Sequence, residues 1–100
     1  MEYEQARLVI LDYAIDLSIP KYIVMQHDVE VVSFSKWAVE ELLRELEKKK
    51  SIEPVDVVRD FSNRMAEYAA KDSNFNSVFS IAYYVASDIY EILYDIERKE

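Results

Sequence analysis

Apolar residues return every three or four positions in four segments of the chain, the spacing that keeps one face of a helix dry. In the first, Tyr3, Ala6, Ile10, Tyr13, Ala14 and Leu17 form one stripe. Leu8, Leu11 and Ile15 widen it until only the arc of Glu2, Gln5, Asp12 and Asp16 stays polar. A helix apolar over so wide an arc either sits centrally in its bundle or touches a second chain. Pro20 is expected to stop it, which predicts a helix near residues 3–19.

The third segment begins at Pro54, a residue suited to a first helical turn, with Ser51 and Glu53 before it and Asp56 after it. Val58, Phe61, Met65, Tyr68 and Ala69 make its stripe, and Lys71 falls in the last turn of a helix over 54–71. Asp72-Ser73-Asn74 then breaks the pattern and caps a fourth helix near 75–98. Core spacing there is carried by Phe75, Val78, Phe79, Ala82, Val85, Ala86, Ile89, Leu93 and Ile96.

Residues 21–34 resist this reading. Lys21-Tyr22-Ile23-Val24-Met25-Gln26 and Val29-Glu30-Val31-Val32-Ser33-Phe34 are rich in β-branched and aromatic residues and are separated by His27-Asp28. A short hairpin fits that composition, although two-residue turns favour Asn-Gly or Asp-Gly, and the chain has no glycine. Alternatively Asp28 caps one long helix running to Lys50. The phase of Val39, Leu42, Leu43 and Leu46 puts Phe34 and Trp37 on the opposite, charged side. The second helix is therefore expected near 35–50, with 21–34 irregular or a short hairpin. Short connections make neighbouring helices antiparallel. The expected fold is all-α, a small up-and-down bundle of about four helices in a single domain over residues 1–100.

Composition narrows the chemistry. Zero glycines in 100 residues is about a one-in-a-thousand outcome at average usage. It removes phosphate-cradling loops, dinucleotide fingerprints and nucleophile elbows, all of which need close backbone approach. With no cysteine, disulfides, thiolate zinc sites and cysteine nucleophiles are excluded as well. No apolar run is long enough to span a bilayer, and the acidic start Met1-Glu2-Tyr3-Glu4 is unlike a secretory leader. A cytoplasmic location is expected.

The net charge is −8. Residues 1–50 hold ten acids and seven bases, residues 51–100 ten and five, and no base lies between Lys71 and Arg98. Nucleic acid and anionic membrane are thus poor partners. The run Lys48-Lys49-Lys50 closes a helix, where cations offset the macrodipole.

His27 is the sole histidine and reads as a surface or hinge residue, so no histidine metal cluster can form. Carboxylates recur at i, i+4 in Asp12/Asp16, Glu41/Glu45, Asp56/Asp60 and Glu91/Asp95. Each pair faces one way at a cost of a few tenths of a kcal/mol. Most lie opposite the core stripes and read as solvated faces, or as docking surfaces for a basic partner. Glu40-Glu41-Leu42-Leu43-Arg44 departs at its last position from the Glu-Glu-x-x-Glu pattern of helical nucleotide pyrophosphatases. No catalytic residue, metal site or cofactor is expected.

Candidate contact residues are Phe34 and Trp37, which either fold back over 21–32 or form an exposed patch, and Tyr83, Tyr90 and Tyr94, a stripe beside the core face of the fourth helix. Tyr84 falls instead with Asp88, Glu91 and Asp95. Leu8, Leu11 and Ile15 complete the set. The expected function is a protein-interaction or regulatory module, with a protein partner or a second copy of itself in a homodimer. An acidic mimic of nucleic acid that inhibits a basic partner, and an enzyme with an unrecognised carboxylate site, are the alternatives.

Overall fold

The computed structural model describes residues 1–17, 28–71 and 76–99. It has four helices, α1 (Tyr3–Leu17), α2 (Asp28–Lys48), α3 (Pro54–Lys71) and α4 (Asn76–Lys99), and no strand among the described residues. Ile19, Pro20, residues 21–27 with His27, and the break at 72–75 with Phe75 lie outside the described residues, as does the side chain of Asp16.

The local signals explain how the helices start. The Glu2 carbonyl accepts the first bond of α1 from Ala6 N at 3.1 Å, and the Glu53 carbonyl accepts the Val57 N–H at 3.1 Å. Pro54 is the first helical residue of α3, where its missing N–H costs nothing. No described residue has positive φ, the region in which glycine is favoured.

The start of α2 corrects the sequence reading. Residues 28–34 are helical, so they are neither irregular nor part of a hairpin, and Asp28 opens a single helix running to Lys48. β-Branched Val29, Val31 and Val32 lower helix propensity by only tenths of a kcal/mol each, which continuation of a packed helix readily offsets.

Cross-helix contacts define the topology. The Tyr3 hydroxyl donates to Glu47 near the end of α2, and the Tyr13 hydroxyl to Asp88 of α4. The Met1 ammonium lies 2.8 Å from Glu53 and 3.7 Å from Glu97. The beginnings of α1 and α3 therefore share one end of the molecule with the closing turns of α2 and α4. This is an up-and-down bundle.

Packing is most extensive between α3 and α4, and α2 packs next most closely on α4. Leu42, Leu46, Val57, Val58, Ile89 and Leu93 are fully enclosed, together with Ile10 from α1. Each such aliphatic side chain contributes about 1.5–3 kcal/mol of burial free energy. Helix α1 is peripheral rather than central: Ala6 and Ile10 are its only fully buried described side chains, and it is the least amphipathic of the four. On α3, Tyr68 is exposed where the spacing predicts burial, while Val55, Val57 and Ser62 are buried instead. Tyr68 instead rests a tilted ring on Phe79 at the bundle margin, 5.3 Å between centroids.

Candidate interaction surface

The eight candidate contact residues do not form one surface; the fold divides them into three. Phe34 and Trp37 are half-buried on α2. The helical phase alone placed Trp37 on the charged side, but its indole is long enough to reach round the flank. It meets Phe79 of α4 edge-on, with centroids 6.4 Å apart. Ser33, Phe34, Trp37, Val78 and Phe79 line an apolar groove of about 530 Å³ there.

Of the α4 tyrosines only Tyr90 is half-buried; Tyr83, Tyr84 and Tyr94 are exposed. Tyr90 packs against the core and stacks on Tyr94 at 6.0 Å, and the Arg98 guanidinium lies 5.7 Å from the Tyr94 ring. The spacing of four residues along one helix produces this ladder directly. Tyr83 pairs with Tyr84 at 5.7 Å, and Tyr84 is the most exposed aromatic side chain described.

The third group is on α1. Leu8 is 52% exposed and Ile15 64%, two turns apart on the outward face. Leu11 lies between them in sequence and turns toward α2, forming with Leu43 the apolar floor of a groove of about 370 Å³. Arg7 from α1 and Arg44 and Lys48 from α2 line its rim, and Tyr3 and Glu47 complete the wall.

Electrostatics at this groove follow from its hydrogen bonds. Tyr3 Oη is 2.5 Å from Glu47 Oε2. That bond, with partial burial and the nearby negative charge, raises the Tyr3 pKa above its ordinary value. The same hydrogen bond, then that from Lys50, holds the Glu47 carboxyl below its ordinary range. Lys50 sits 3.1 Å from Glu47 and 4.9 Å from the Tyr3 ring centroid. Arg7 pairs with Glu4 at 2.9 Å and Arg44 with Glu41, each a partner three residues back on its own helix. Lys48 has no ion pair among the described residues.

Three of the repeated carboxylates are met by an arginine of their own helix: Glu41 by Arg44, Asp56 by Arg59, Asp95 by Arg98. Glu45 is held between Lys49 and Arg64. Among the described residues no group of three or more His, Asp or Glu side chains is placed to hold a metal ion.

Sequence reasoning found Leu8, Leu11 and Ile15 but missed Arg7, Leu43, Arg44 and Lys48 as parts of one site. A signal existed, since Arg44 and Lys48 are four apart and must share a face of α2. The macrodipole reading of Lys48-Lys49-Lys50 had absorbed it.

Comparison with protein-family models, with curated proteins and with solved structures finds no match to this chain. No described helix is long and apolar enough to cross a membrane.

Proposed function

We propose that this chain is a non-catalytic protein-interaction module that meets its partner through the outward face of α1 and the adjoining α1–α2 groove. One observation carries the reading: Leu8 and Ile15 stay largely exposed, in line on one face, after the bundle has closed its core. Scattered exposed leucines are ordinary, but aligned aliphatic side chains bordering an apolar groove are the pattern of contact sites.

The test is affinity capture from the native host with the full chain and with Leu8→Glu/Ile15→Glu, each checked for helicity by circular dichroism. A protein retained by the parent and lost by the folded variant supports the reading. Identical captures from both sink it.

A further inference from the structure

We infer that the partner element received by the α1–α2 groove is an acidic amphipathic helix of another protein, an assignment that rests on reading α1 as the contact face. Shape, charge and the available counter-ions point the same way.

The apolar strip is elongated. Leu11 and Leu43 floor the groove, and the strip continues onto Leu8 and Ile15. A step of seven residues along the helix joins those two, roughly 10 Å along the axis. That matches two turns of a docked helix presenting anchors at i, i+3 or i+4, and i+7. A small anionic molecule would occupy the groove and leave Leu8 and Ile15 uncovered.

The rim is cationic in a strongly acidic protein. Arg7, Arg44 and Lys48 line it, and Lys50 stands beside its Tyr3 wall. Of the charged residues that line the groove, Arg7, Arg44 and Lys48 are cations and only Glu47 is an anion, in a chain of −8; Glu4 and Glu41 pair with two of the three cations. Glu47 is engaged by the Tyr3 hydroxyl and Lys50, so it repels an incoming carboxylate less. The Arg7–Glu4 and Arg44–Glu41 pairs are water-exposed and weakly held, so both guanidinium groups can be re-partnered at little cost. Arg44 and Lys48, one turn apart, would meet acids on one flank of the docked helix while its leucine-type anchors lie along α1.

Nucleic acid fits poorly. It would need several phosphates neutralised at once, and Glu4 and Glu41 would repel the remaining ones.

Two fluorescent probe helices of about 16 residues test the assignment, sharing one leucine stripe, with flanks of glutamate in one and lysine in the other. Binding to the full chain is followed by fluorescence anisotropy at about 50 and about 300 mM salt. The test is stringent, because the net charge of −8 attracts the lysine probe at long range. The expected result is saturable binding of the glutamate probe, at least about tenfold tighter than the lysine probe and weakened by salt. Arg44→Glu/Lys48→Glu reverses the preference, while Leu8→Glu/Ile15→Glu weakens both probes.

Tighter binding of the lysine probe overturns the assignment, as does a preference indifferent to Arg44→Glu/Lys48→Glu. If neither probe binds, although host capture returns a partner dependent on Leu8 and Ile15, the acidic-helix assignment fails and the interaction module stands. If that capture also returns nothing dependent on α1, the module itself has failed.

Discussion

Arg64 of α3 reaches across to α2 and places Nη2 3.2 Å from Oε2 of Glu45, a carboxylate that also receives Lys49 Nζ at 3.2 Å. The arginine atom is buried, and its contact with Glu45 is an ion pair rather than a well-directed hydrogen bond. This pair ties the last turns of α2 to the middle of α3.

Burial pushes the Glu45 carboxyl up, but the hydrogen bond from Lys49 and the charge of Arg64 outweigh it, so its pKa falls below the ordinary value. A carboxyl depressed in the folded state stabilises the protein above its unfolded pKa, about 4.3, and loses that contribution as pH falls through the folded value. Arg64→Ala is expected to cost about 0.5–1 kcal/mol at neutral pH and much less below the folded pKa. Urea unfolding at pH 7 and at successive steps of falling pH measures both. A cost that does not shrink in acid would show that the pair is not its source.

Leu42 is fully enclosed, whereas Leu8 is half in water. Leu42→Ala should lose about 2–5 kcal/mol through lost burial and the cavity left behind. Leu8→Ala should fall within about 0.5 kcal/mol of the parent. Denaturant midpoints of the two variants compare them directly, and a large loss at Leu8 would mean that α1 packs through that face.

Ser62 of α3 and Ser87 of α4 bring their hydroxyl oxygens to 3.0 Å in the most tightly packed seam of the bundle. Replacing only Ser87 with alanine strands the buried Ser62 hydroxyl and should cost about 1 kcal/mol. Ser62→Ala/Ser87→Ala should cost less than the sum of the single changes, because no orphaned polar group remains. A double-mutant cycle reads the coupling; strict additivity would deny the bond any energetic role.

Trp37 is the sole tryptophan and is shielded on one side by the Phe79 ring. Phe79→Ala should move its emission to longer wavelength by admitting water to the indole. Steady-state fluorescence, with circular dichroism to show that the helices persist, checks this. An unmoved spectrum would place the tryptophan elsewhere.

The helices most legible in the sequence are those whose ends are chemically marked. Pro54 with Glu53 opens α3, and Val58, Phe61 and Met65 are buried as their spacing demands. On α4 the same holds for Ala82, Val85, Ala86, Ile89 and Leu93. The first residues of α2 were obscured by their β-branched composition, a local preference of only tenths of a kcal/mol that did not stop the helix from starting at Asp28. Periodicity also failed for Tyr68 and Trp37, because it reports the direction of a Cβ and not how far a long aromatic side chain then travels.

The same division runs through the proposed contact site. The surplus apolar width of α1 is a property of one helix, so Leu8, Leu11 and Ile15 could be found from spacing alone. That Arg7 would face Arg44 and Lys48 across a leucine-floored groove could not. Those residues lie on helices separated by a long stretch of chain, and only the antiparallel docking of α1 on α2 sets them side by side. Periodicity along one chain carries which face of a helix is apolar; which two faces meet is a free-energy minimum over the whole packed bundle, and that only the tertiary structure decides.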